Sequence, residues 1–125
     1  MTETSIFTKI INREIPATIH YEDDDFIAFD DISHKAPVHI LVVPKKAYMS
    51  LEKVDFEDDQ FHSQLLKTAR QVAKKMGIAD NYKIFMNVGP KVQAVQHLHL
   101  HLLGGWSKNI KTEKLEESSE KIINS

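Results

Sequence analysis

Residues 96–103, Gln-His-Leu-His-Leu-His-Leu-Leu, alternate imidazoles with leucines. A period of two belongs to a β-strand and not to a helix, because successive strand side chains point to opposite faces. The run predicts a strand with Leu98, Leu100 and Leu102 turned to a core. His97, His99 and His101 then stand in a row on the other face, roughly 7 Å apart. Three polar rings on one sheet face bring no obvious packing benefit, so the row points to chemistry.

The rest of the chain supplies partners for this strand. Residues 5–13 carry Ile6, Phe7, Ile10 and Ile11 at helical spacing, and Pro16 ends the segment. Residues 17–22 and 26–30 read as a hairpin around the acidic turn Asp23-Asp24-Asp25. Pro37 holds Ala36 extended. Residues 38–43 form a β-branched strand stopped by Pro44. The main helix is expected over 56–76, with Phe61, Leu65, Ala69, Val72, Ala73 and Met76 on one stripe. Asp55 is the expected N-cap and Gly77 the C′ residue. Strands over 82–88 and 96–103 follow. Helix, three strands, helix, two strands, with short connections, predict an α+β fold with a mainly antiparallel sheet and helices on one side. Residues 1–107 are read as one domain and 108–125 as a polar, charged tail.

The 125 residues, 42% of them apolar, suffice for one modest core, and a shared dimer core would add buried surface. A net charge of −2 gives no global field for nucleic acid. No apolar run is long enough to cross a bilayer, and no signal-peptide core is present, so the expectation is a cytoplasmic protein. Cysteine is absent, which excludes disulfides, thiolate metal sites and thiol catalysis.

Two chemistries suit the row. Histidines at i and i+2 can share a zinc ion with a third ligand from elsewhere. A neutral imidazole is also a good nucleophile toward phosphorus, and neighbouring imidazoles can bind phosphate oxygens or protonate a leaving group. The absence of cysteine and of an H-E-x-x-H motif favours phosphoryl or nucleotidyl transfer, with no metal and no cofactor. Period two on the 38–43 strand places Val38, Ile40 and Val42 in the core and His39 on the face of the row. His20, His34 and His62 are read as surface residues.

The motif H-φ-H-φ-H-φ-φ, with φ apolar, resembles the signature of the histidine triad family. Ser5-Ile6-Phe7-Thr8-Lys9-Ile10-Ile11, Arg13-Glu14-Ile15-Pro16-Ala17, Asp31-Ile32-Ser33 and the stretch from Ala36 to Lys45 are similar to its Hint branch. So is Gly104-Gly105, where dinucleotide hydrolases more often carry Pro-Arg. The resemblance implies a five-stranded antiparallel sheet with one long and one short helix, paired into a ten-stranded sheet in a homodimer. It implies that His99 attacks the α-phosphorus of a nucleoside phosphoramidate or related conjugate, forming a covalent nucleotidyl-histidine that water releases as a nucleoside monophosphate. The carbonyl of His97 would orient His99, and His101 and His39 would contact phosphate. Asp31 would bind ribose hydroxyls, and Asn87, Gln93 and Ala94 would lie beside the phosphate. Ile6, Phe7, Ile10, Phe29, Ile32 and Leu41 would line a slot for a purine of the AMP or GMP type. No nucleic-acid or membrane partner is implied.

Two departures bear on turnover. The 92–94 stretch is Val-Gln-Ala where the family commonly has Gly-Gln followed by Ser or Glu. Ala94 thus lacks a side chain that contacts the phosphate or leaving group. By the usual scale of general-acid effects that is worth about 10²-fold or more in rate. The C-terminus lacks the Trp-Pro-containing end that reaches the partner subunit's site. A nucleotide-binding module with weak turnover, and a dinucleoside polyphosphate hydrolase, are the alternatives.

Overall fold

A computed structural model describes residues 4–107. The elements are α1 (Ile6–Ile11), β1 (Ile19–Glu22), β2 (Phe26–Asp30), β3 (Val38–Pro44), a 3₁₀ turn (Leu51–Lys53), α2 (Asp59–Lys75), β4 (Tyr82–Phe85) and β5 (Leu100–Gly104). The strands form one antiparallel sheet in the order β1-β2-β3-β5-β4, so the α+β class and the five-stranded sheet agree with the sequence reading. The tail at 108–125, and with it the expected domain boundary, lies outside the described residues.

Alternation divides the sheet into two faces. Phe26, Ala28, Ile40, Val42, Leu98, Leu100 and Leu102 meet Leu65, Ala69, Val72 and Ala73 of α2. Ile27, Phe29, Leu41 and Val43 meet Phe7 and Ile10 of α1 on the opposite face. The two helices therefore do not share a side, a correction to the sequence reading. Hairpin lengths say nothing about which face a terminal six-residue helix covers.

Local chemistry explains the other boundary shifts. The Asp23 carboxylate accepts from the Asp25 and Phe26 N–H groups at 2.8 and 2.7 Å, which builds the β1–β2 turn. α1 ends at Ile11 and not near Pro16, because Arg13 adopts φ +62°. α2 begins three residues later than expected: Asp58, and not Asp55, accepts the Phe61 N–H at 2.9 Å. Asp55 instead takes the Glu57 N–H at 3.0 Å in a separate turn. Gly77 follows the helix at φ +74°, as a C′ residue should. Pro44 closes β3 opposite Phe26. The glycine pair at the end of β5 has two different causes. A Cβ on Gly104 would lie 2.7 Å from Ile78 Cδ1, and Gly105 sits at φ +84° against Val38.

Candidate active site

The three motif histidines do not all lie in the ladder: β5 pairing begins at Leu100, so His97 and His99 precede it. Alternation nevertheless persists, because Leu98 N–H donates to the Tyr48 carbonyl at 2.8 Å and Leu98 joins the α2-side core. His97, His99 and His101 face the α1 side, and all three are buried, as is His39. The row is therefore buried and not an open sheet face. Its members are closer than simple strand spacing predicts, with the His99 and His101 rings 5.0 Å apart.

Hydrogen-bond partners assign each ring proton, since a carbonyl only accepts and a backbone N–H only donates. His99 Nδ1 is 2.7 Å from the His97 carbonyl and so carries the proton, leaving Nε2 with a free lone pair. His97 Nε2–H donates to the Pro44 carbonyl at 2.9 Å. Its Nδ1 then accepts from Ser5 Oγ at 3.0 Å, with Thr8 Oγ1 at 3.4 Å. His39 Nδ1 accepts the Lys35 N–H at 3.1 Å. His39 Nε2 therefore bears the proton and donates to His101 Nδ1 at 3.0 Å, with Asp31 Oδ2 at 3.2 Å. That leaves His101 with its proton on Nε2. The backbone thus sets His99 as a lone-pair donor and His101 as a neutral N–H donor beside it.

Electrostatics favour the neutral ring at His101, His39 and His97. Burial, helped by His99 and His39, pushes the His101 imidazole down to about 4, against an opposing pull from Asp31. Burial also lowers His39 and His97. Burial alone would raise Asp31, but hydrogen bonds from Ser33 N–H and Oγ and the nearby His39 and His101 hold it below its usual range.

Asp31, His39 and His101 each bring one ligand atom to within 4.8 Å of the others, the spacing of a cation site. The assigned protons argue against that use. His39 Nδ1 is committed to the Lys35 N–H, so its Nε2 could bind a metal only as an imidazolate or after that bond breaks. The trio is better described as a hydrogen-bond relay.

The remaining expected residues divide. Phe7, Ile10, Phe29 and Leu41 are core residues of the α1 side. Phe7 stands edge-on to His99 at 5.0 Å. Ile6 is 49% exposed and Ile32 93%, so both are accessible from solvent. Asp31 uses Oδ1 to cap a turn through Ser33, at 2.9 Å to both N–H and Oγ, while Oδ2 faces the histidines. Asn87 and Ala94 are exposed. The Gln93 side chain is buried and occupied: it accepts from Gly89 N–H and donates to the Met49 and Val95 carbonyls. Of the histidines read as plain surface residues, two have partners. His20 Nε2 lies 2.7 Å from Asp30 Oδ1, and His62 Nδ1 lies 2.7 Å from the Asp58 carbonyl. Sequence reasoning missed Ser5 and Thr8 against His97, and Phe85 stacked on His101. An N-cap signature at Ser5 was readable; the β4–β5 register that brings Phe85 to His101 was not.

The HIT domain pattern matches residues 12–108. The chain is 44% identical over 107 residues to the purine nucleoside phosphoramidase of Escherichia coli K12, covering 84% of this chain and 90% of that one. It is 44% identical over 108 residues to the adenylylsulfatase HINT1 of Arabidopsis thaliana, covering 84% of this chain and 74% of that one. The solved structure of a HIT family hydrolase from Clostridium thermocellum superposes with a TM-score of 0.78 at 40% identity, covering 90% of this chain and 99% of that chain. Sequence pattern, sheet order and buried histidine cluster converge: the chain belongs to the HIT domain family.

Proposed function

We propose that this protein is a nucleotide hydrolase acting at the α-phosphorus of nucleoside phosphoramidates or related conjugates. The observation that carries the reading is the hydrogen-bond pattern: His99 turns Nδ1–H to the His97 carbonyl, so the lone pair of its neutral ring lies on Nε2, and the neighbouring His101 carries its proton on Nε2. In the first step the His99 lone pair forms an N–P bond as the bond from phosphorus to the leaving amine breaks. The amine takes its proton from solvent; His101, a neutral ring that would become an imidazolate if it gave up Nε2–H, assists by hydrogen bonding to the leaving group. In the second step water attacks phosphorus and releases its proton to solvent, the N–P bond breaks, and a nucleoside monophosphate leaves. His101 also donates to the phosphoryl oxygens as charge builds on them. Because Ala94 has no polar side chain, the burden on His101 is greater. Asp31 would take the ribose hydroxyls, with Asn87 and the backbone at Ala94 beside the phosphate. Exposed Ile6 and Ile32, with Phe7, Ile10, Phe29 and Leu41 behind them, would flank a purine. Gln93 supports this site by bracing the 89–95 loop. A homodimer is part of the reading, supported by the apolar outer strand β4, where Ile84 and Phe85 are exposed.

The test is intact-mass spectrometry after mixing the protein with adenosine 5′-phosphoramidate and quenching in alkaline denaturant. A transient gain of one adenylyl group, lost in His99→Ala, is expected, together with AMP release. Nucleotide binding without adduct or AMP would replace this reading with a binding module.

A further inference from the structure

Among the described residues, one side chain that the mechanism above does not use makes the closest ring contact with it. Phe85 lies opposite His101 in the β4–β5 register. Its ring is parallel to the imidazole, at 6° between planes and 4.3 Å between centroids. Among the described residues, the other rings beside His101 are tilted, His39 at 43° and His99 at 59°, the Asp31 carboxylate is 3.9 Å away, and the cross-strand partner Leu41 is aliphatic.

We propose that Phe85 is a positioning residue for His101, its flat stack holding the imidazole plane in which Nε2–H is aimed beside His99. The physical case has two parts. The His39 bond pins one atom of the His101 ring, Nδ1, and leaves rotation about that contact free. A parallel aromatic face removes that freedom, since tilting either ring opens the stack. This role rests on the hydrolase reading for its kinetic consequence but not for its geometry.

Phe85→Leu keeps apolar bulk and removes the π face, whereas Phe85→Tyr keeps the stack. With adenosine 5′-phosphoramidate, kcat is expected to fall on the order of tenfold in Phe85→Leu, with KM little changed, and to be retained in Phe85→Tyr. The loss falls on kcat because N–H aim matters most where charge builds on the phosphoryl oxygens. Because Phe85 lies on the outer strand, rates are compared at protein concentrations where sedimentation shows one common oligomeric state. In parallel, the carbon-bound His101 ring protons are read by NMR. The stack shields them, and their upfield position is expected to collapse in Phe85→Leu and persist in Phe85→Tyr. Equal kcat in the Leu variant and the native protein, or a Tyr variant as slow as Leu, would overturn the proposal. Should the native protein form no adduct, the hydrolase reading fails alone; unshielded His101 protons in the native protein would then sink the stack itself.

Discussion

Acid should destabilise this fold well before its carboxylates titrate, and His101 accounts for much of the loss. In the unfolded chain an imidazole takes up its proton near pH 6.5. In the folded protein, His101 resists until about 4. Between these values the unfolded state binds more protons, so folding free energy falls as pH falls. Each proton so withheld costs about 1.4 kcal/mol per pH unit, and lowering His101 from 6.5 to about 4 makes roughly 3 kcal/mol available to be lost. Its side chain is only 11% exposed, so solvent screens little of this. His39 and His97 are lowered as well and act in the same direction. Asp31 is also held low, but its contribution fades only as pH drops below the ordinary carboxylate range, beneath this window. The assay is urea unfolding at fixed protein concentration from about pH 7.5 to about pH 4.5, comparing the native protein with His101→Asn. Asparagine retains an acceptor for His39 but cannot titrate. The native slope should exceed that of the variant by up to about one proton. Superimposable slopes, or native stability that rises on acidification across this window, would refute the reasoning.

Two other perturbations follow from single side chains. The Thr68 hydroxyl is fully buried in α2 and has no hydrogen-bond partner among the described residues. Thr68→Val should therefore be neutral or stabilising by about 1 kcal/mol, read as a thermal midpoint unchanged or raised. Gln93→Ala removes one acceptor and two donors at once, leaving the Gly89 N–H and the Met49 and Val95 carbonyls without that partner. A loss of about 2–3 kcal/mol by urea unfolding is expected, with the 89–95 amides exchanging faster with deuterium.

The sequence was most informative where one period ran unbroken. The alternation through Leu98, Leu100 and Leu102 holds in the structure even though pairing starts only at Leu100, because the Tyr48 carbonyl extends the strand's orientation to Leu98. The stripe Leu65, Ala69, Val72 and Ala73 likewise locates the buried face of α2. What stayed hidden depends on long-range contact. Pattern alone read the imidazole face as an outer face, and only packing shows α1 folded over it. Choosing between Asp55 and Asp58 as N-cap required the backbone angles of the turn between them. The resemblance gives Asp31 only a ribose-binding part; the structure shows Oδ1 capping a turn and Oδ2 facing the histidines. Residues that act through backbone atoms, such as Lys35 on His39 and Pro44 on His97, carry no side-chain signature at all.

Ser5 Oγ is shared by two structures that are otherwise far apart in sequence. It accepts the Thr8 N–H at 3.1 Å as the N-cap of α1 and meets His97 Nδ1 at 3.0 Å. A helix of six residues has little stability of its own and survives by docking. Fraying of α1 therefore withdraws the cap and the His97 contact together, and carries Phe7 away from the face of His99. Helix order and ring orientation here are one equilibrium, so a ligand that gripped α1 would, by thermodynamic reciprocity, also tighten the triad.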